Sequence, residues 1–211
     1  MPEPDQPPEP NRVARRALKT RQRLLESALS VFTQHGIDAC SIEGITEKAD
    51  VGKGTFYRHF DGKRDILLCL VESATTDLVA ALRELTLNQA ALPEALNCLM
   101  AAVTAWGLRR PDGFRLLLQV QAILTVLPPN AAELRGPFMK VLAAIEDRVR
   151  PLAEVAVDEV GLRRVAMSVL SIPMGALALQ QALLPSETTD TSEAMRSSVA
   201  TALPQLLRCT V

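Results

Sequence analysis

Aromatic side chains are scarce in this sequence: one Trp, one Tyr and five Phe among 211 residues, 3% of the chain. Sandwiches and barrels lean on aromatic and β-branched residues, so this composition points to packed helices instead. Histidine is scarcer still, with only His35 and His59. Both stand near the start, which leaves no imidazole further on for a Ser-His-Asp or Cys-His catalytic site, and no H-E-x-x-H metal motif occurs. Cys40, Cys69, Cys98 and Cys209 lie far apart with no C-x-x-C pair, and no secretory signal pattern opens the sequence. Neither a disulfide framework nor a zinc knuckle is indicated, and a reducing cytoplasm is the expected compartment. The chain is expected to be no enzyme and to hold no metal or cofactor.

What is present is apolar residue, 48% of the chain, enough to bury a sizeable core. The formal charge of -1 hides an uneven distribution. The proline-rich residues 1–11, with Glu3, Asp5 and Glu9, read as a disordered acidic leader. Residues 11–64 carry eleven Lys and Arg against six Asp and Glu, and the rest is mildly acidic. A compact basic segment followed by an acidic body is the footprint of a chain that meets a polyanion at one end.

Residues 12–35 form a long helix candidate, with Leu18, Leu25, Ala28, Leu29 and Phe32 recurring at three- and four-residue steps as a core-facing stripe. Gly36 followed by Ile37 is its expected left-handed stop. Arg12, Arg15, Arg16, Lys19, Arg21 and Arg23 precede the helix's first acid, Glu26. Cations at a helix start oppose the macrodipole, so they are either a solvated face or a surface for an anionic partner. Ser41 can cap a second short helix carrying Ile42, Ile45 and Ala49 on one face, and Asp50-Val51-Gly52 breaks it. In a third helix of under two turns, Phe56 and Phe60 face inward and Lys53, Thr55, Tyr57, Arg58 and His59 cover the outside. Two short helices joined by a tight turn, the second lined with donors, make a helix-turn-helix fit for a major groove. The superficially phosphate-loop-like Gly52-Lys53-Gly54-Thr55 lacks the consecutive Gly-Lys-Ser/Thr and a preceding strand.

The stretch SIEGITEKADVGKGTFYRHFDGKRDI, Ser41 to Ile66, resembles the tetracycline-repressor (TetR) family of transcriptional regulators. Ser41, Ile45, Ala49, Val51, Gly52, Gly54, Thr55, Phe56, Tyr57, His59, Phe60 and Lys63 fall in step with that family's pattern. The departures are Thr46 in place of Ala, Asp50 in place of Gly, and Gly44 where an acidic residue often completes a capping box. Gly44 inside a helix costs about 1 kcal/mol relative to Ala, whereas Asp tolerates left-handed geometry better than most residues.

Chemistry assigns roles to these residues. The hydroxyls of Ser41 and Tyr57, together with His59 and Lys63, suit phosphate oxygens, contacts that fix register. Lys53, Thr55 and Arg58 are the expected base readers, donating to guanine O6 and N7 or touching a thymine methyl. The resemblance implies that Gly54 lets the backbone approach the groove closely and that Phe56 and Phe60 form the small core beneath, with Phe56 the one expected to be partly exposed.

From Ile66 to about Leu85 the apolar pattern reads as a linking helix. Pro93 can start a helix to about Leu108, Pro111 and Asp112 one that ends before Pro128, and Asn130 one through Glu154. Two more are expected at about 158–184 and 190–209, bent or divided at Pro173 and Pro204. The uncharged run 165–186 is long enough for a bilayer, but it is diluted by Ala, Ser, Gln and Pro and reads as a buried or subunit-interface helix, not a membrane span.

The sequence therefore predicts an all-α chain. A three-helix helix-turn-helix DNA-binding domain at 12–64, with the motif at 41–60 and family likeness over 18–78, is joined by the linking helix to a helical effector-binding and dimerisation domain at 65–211. The expected function is a homodimeric regulator, a repressor, binding a palindromic operator in double-stranded DNA. Release by a small-molecule effector of unknown identity is what the resemblance implies. Met100, Trp106, Phe114, Phe138, Met139 and Met174 are candidates to line an apolar effector pocket or simply to pack the core. Val165, Val169, Ile172, Leu177 and Leu184, with Met195, Val199, Leu203 and Leu206, are the expected dimer seam. A helical protein-binding adaptor and an activator of the same fold stay open as alternatives.

Overall fold

The structure, a computed structural model, describes residues 12–87, 90–126, 132–153 and 158–183. The leader at 1–11, Asn130, and the helix expected at 190–209 lie outside the described residues. Among those described there are eight α-helices and no strand, as the composition predicts. The chain separates into two compact units, Met1–Leu70 and Val71–Val211.

In the first unit, α1 (Arg12–His35) buries Leu24, Ser27, Ala28, Val31 and Phe32. These follow one another at three- and four-residue steps, the spacing that places side chains on one helix face. The buried stripe starts later than the sequence predicts: residues 12–19 are all exposed and Leu18 is 62% exposed. Gly36 closes the helix at φ +87° with its N–H 2.9 Å from the Phe32 carbonyl oxygen, the expected left-handed stop.

Ser41 caps α2 (Ile42–Lys48) in extended backbone, its Oγ accepting from the Gly44 N–H at 3.1 Å. Thr46, which departs from the family pattern, is buried and donates its hydroxyl back to the Glu43 carbonyl at 3.0 Å, so its polar atom is satisfied. Asp50 takes φ +51° at the turn into α3 (Lys53–Tyr57). Helix α4 (Lys63–Arg83) supplies Ile66, Leu67 and Leu70 to the same core.

In the second unit, α5 (Leu92–Arg109) starts with Pro93 in its first turn and α6 (Pro111–Val126) with Pro111, as a residue lacking the N–H and fixed in φ favours. Helix α7 (Ala132–Val149) ends five residues before the expected Glu154. Pro151 disfavours helical backbone at Arg150, and a 3-10 turn, Arg150–Leu152, follows. Helix α8 (Glu159–Leu183) runs through Pro173 as one element and packs against α5 and α7. A Cβ on Gly107 would come 2.7 Å from Leu177 Cδ2 and 3.0 Å from Phe114 Cδ2, so only glycine lets α5 lie this close to its neighbours.

Among the described helices, α8 alone is long and apolar enough to cross a membrane. Its Leu162, Ala166, Val169, Leu170, Pro173, Met174 and Leu177 are nonetheless buried within the unit. This corrects the expected seam. Val169 and Leu177 belong to the subunit's own core, at 2% and 1% exposure, while Val160, Met167, Leu179 and Leu183 lie on the exposed side. Leu184, Met195, Val199, Leu203 and Leu206 are outside the described residues.

Candidate nucleic-acid interface

The surface of the first unit is built over two phenylalanines. Phe56 is fully buried and Phe60 nearly so, with ring centroids 5.7 Å apart, which overturns the expectation that Phe56 is partly exposed. The edge of Tyr57 meets Phe56 at 5.5 Å in a T-shaped contact, leaving Tyr57 half exposed on a fixed base. The buried Phe56 and its two ring contacts thus orient a five-residue helix too short to be stable alone.

Around this base the exposed residues are Lys53, Gly54, Tyr57 and Arg58, with Thr55 and His59 partly covered. Lys53 donates its ammonium to the Glu43 carboxylate of α2, which holds that carboxyl below its ordinary pKa. To read a base, Lys53 has to leave Glu43. Arg58, by contrast, has no side-chain partner among the described residues and lies exposed at the C-terminal cap of α3. A Cβ on Gly54 would meet nothing within 4 Å, so the fold itself places no steric demand for glycine there. Ser41 is exposed and its Oγ already accepts one hydrogen bond, leaving its hydroxyl proton to donate.

Lys63 departs from the phosphate role expected of it. Its Nζ donates to the carbonyl oxygens of Ile37 at 3.0 Å, Asp38 at 3.3 Å and Cys40 at 2.9 Å. An ammonium has three donors and all three are used, so Lys63 pins the loop between α1 and α2.

Two residues of the α1 cation run also have structural parts that the run alone did not show. Arg23 donates to the Ala49 carbonyl at 2.7 Å and lies 3.7 Å from the Asp50 carboxylate, bracing the turn of the motif. Arg21 stacks 5.0 Å over the Phe60 ring and reaches the Cys69 sulfur at 3.4 Å. Both flank Leu24, the first buried residue of the stripe, and that proximity to the core face was the available signal. The other four cations occupy the exposed first turns of α1.

Of the pocket candidates in the second unit, Met100, Trp106, Phe114 and Met174 are buried at 1–2% exposure, and Phe138 is half-buried. Met139 is turned outward at 44% exposure, its sulfur 3.8 Å from Arg163, and so lines no enclosed pocket here.

Residues 24–70 match the sequence profile of the bacterial regulatory proteins of the tetR family. Over 157 residues the chain is 26% identical to the transcriptional regulator TcmR of Streptomyces glaucescens, spanning 68% of this chain and 70% of that one. The probable acrEF/envCD operon repressor of Escherichia coli K12 is 42% identical over 50 residues, 24% of this chain and 23% of its own. The regulator TtgW of Pseudomonas putida is 37% identical over 62 residues, covering 29% and 46%. The chain thus spans less than half the length of the latter two. Among solved structures, GusR of Salmonella enterica superposes with a TM-score of 0.70 at 21% identity over 91% of this chain and 97% of that one. FadR of Bacillus subtilis, solved with stearoyl-CoA, gives 0.68 at 14% identity over 86% and 96%. At these identities the likeness shows a shared helical fold. The resemblance read from Ser41 to Ile66 is borne out: residues 24–70 form a domain of the kind found in the tetR family of bacterial regulatory proteins.

Proposed function

We propose that this protein is a cytoplasmic, homodimeric repressor that binds a palindromic operator through α3 and is released from it by a small-molecule effector. The observation that carries the DNA half is the face of α3. Lys53, Gly54, Tyr57 and Arg58 are exposed over the buried Phe56 and Phe60, on a segment with a large excess of cations. Phosphate contacts are assigned to Ser41, Tyr57 and His59 and base reading to Arg58, Thr55 and, once freed from Glu43, Lys53.

The effector half rests on the likeness to tetR-family regulators and on the separation into two units, the second with its own core. The apolar residues Met100, Trp106, Phe114 and Met174 gather in that core from α5, α6 and α8. Protection of a palindrome near the protein's own gene in a footprint, lost at high salt and unaffected by excess random DNA at moderate salt, is the expected result. Equal affinity for operator and random DNA would remove specific regulation and leave a generic basic surface.

A further inference from the structure

In the second unit an open cleft of about 240 Å³ lies between the C-terminal halves of α4 and α5. One wall is Asp77, Ala80 and Ala81 of α4 with Glu84 just past its end; the other is Trp106 and Arg109 of α5 with Arg110 at its C-terminal cap. The first wall therefore carries two carboxylates and the second two guanidiniums, with a small apolar floor between them. Asp77 and Arg110 already satisfy each other at 3.6 Å. Glu84 and Arg109 are exposed and have no partner among the described residues. One negative and one positive group thus face a common space, each without its counterion.

Trp106 adds an independent sign. It is 2% exposed, and its Nε1 donor is buried without a hydrogen-bond partner. An orphaned buried N–H costs about 1–3 kcal/mol, and in a native structure it calls for an explanation. On its benzo side the ring lies beside Gly113, where an added Cβ would come 3.6 Å from Cζ2 and 3.8 Å from Cη2. Trp106 lines the cleft, and an oxygen acceptor drawn in by Arg109 is the group its N–H lacks.

We infer that this cleft binds a small zwitterion, a molecule with a carboxylate and an ammonium on a short apolar skeleton. Its carboxylate pairs with Arg109 and accepts from Trp106 Nε1, its ammonium pairs with Glu84, and its apolar part lies on Ala80 and Ala81. The site shares Trp106 with the apolar core cluster and otherwise lies outside it. It deepens the effector-responsive reading of the protein, and rests on that reading only for the consequence at the operator.

Trp106 is the only tryptophan of the chain, so its emission reports the site directly. The full-length protein is titrated with three matched probes: L-leucine, 4-methylpentanoate, which lacks the ammonium, and 3-methylbutylamine, which lacks the carboxylate. The expected result is a saturable emission change with L-leucine at least about tenfold tighter than with either half-molecule, a gap of about 1.4 kcal/mol. Arg109→Gln and Glu84→Gln, both surface changes, are expected to bring L-leucine down to the half-molecule level while the thermal midpoint without ligand stays put. Trp106→Phe, followed by calorimetry, is expected to weaken L-leucine binding while keeping the ring. Absence of a saturable change, or equal response to all three probes, would overturn the inference. Operator affinity is measured separately on the same samples. Binding of L-leucine without a change at the operator would uphold the cleft and count against effector release through it.

Discussion

The Lys63 ammonium lies 2.9 Å from the carbonyl oxygen of Cys40 and 3.0 Å from that of Ile37, tying the start of α4 to the loop between α1 and α2. Replacing Lys63 by Met keeps the aliphatic stem and removes all three donors. Leaving partly buried carbonyls without a donor costs about 1–3 kcal/mol, so the thermal midpoint of the first unit is expected to fall. At a temperature where the variant stays folded, its operator affinity should match the parent. A loss of affinity in the folded variant, equal on operator and random DNA, would restore the phosphate contact.

Asp50 holds the turn of the motif in left-handed backbone, φ +51°. For a residue with a Cβ this geometry costs roughly 1–2 kcal/mol, and Asp recovers part of it through local polar contacts. The exposed Arg23 to Asp50 pair contributes little. Asp50→Gly is therefore expected to raise stability by up to about 1 kcal/mol. Asp50→Val, β-branched and without a polar tip, should lower it. Chemical denaturation of the two variants checks both signs, and stabilisation by Val would refute the backbone argument.

The elements most legible in the sequence were those fixed by backbone chemistry. Gly36, Ser41, Pro93 and Pro111 each mark a helix end where it was expected, because a missing side chain, a short hydroxyl or a missing N–H acts within a few residues of itself. Lys63 and Arg23 were not legible, since a long flexible side chain can reach either solvent or a carbonyl some 26 residues away, and composition cannot tell which. The inward face of α8 was illegible for another reason. Between Val165 and Leu183 the helix carries no charge on any side, so periodicity gives no preference between Val169 and Leu177 on one face and Met167 and Leu179 on the other.

Burial raises the Cys40 thiol above its ordinary pKa of 9.0, and the ammonium of Lys63 opposes this only in part. The folded protein therefore keeps the proton to higher pH than the unfolded chain does. Stability linked to Cys40 is fully present below pH 9.0 and falls as pH rises from there through the folded value. Cys40→Ser is expected to flatten that alkaline decline. In native protein near neutral pH, an alkylating reagent should reach exposed Cys98 before buried Cys40, as mass spectrometry of the labelled peptides can show. Early labelling of Cys40 would mean that the loop it occupies opens readily.

Arg58 and Tyr57 should separate on DNA by what each touches. Arg58→Ala is expected to relax preference at one base pair of each half-site by about 1–3 kcal/mol, leaving random DNA almost unaffected. Tyr57→Phe should weaken all sequences alike, since a phosphate carries no base identity. Replacing Arg12, Arg15 and Arg16 by Gln should reduce the slope of log affinity against log salt, provided those exposed turns of α1 follow the phosphate backbone. Competition binding at several salt concentrations reads all three. Equal loss on operator and random DNA for Arg58→Ala would end its role as a reader.

The exposed side of α8 offers the cleanest test of assembly. Met167 is 54% exposed and Leu179 is 62% exposed in the subunit, one above the other along a face that also carries Ser171 and Gly175. Small residues between large apolar ones let two such helices approach closely, and an apolar face of this length left in water would favour association. About a two-fold axis such a pairing would be isologous, the same face of α8 meeting its own copy. A carboxylate at Leu179 costs the isolated subunit little, because that side chain already meets water, yet in the paired state it would be buried opposite its own symmetry mate. Leu179→Glu is thus expected to sediment as a monomer with unchanged helix content and to lose operator binding at concentrations where the parent binds. Val169→Glu, placed in the subunit core, should instead unfold the chain. An intact dimer for Leu179→Glu would move the interface to another face.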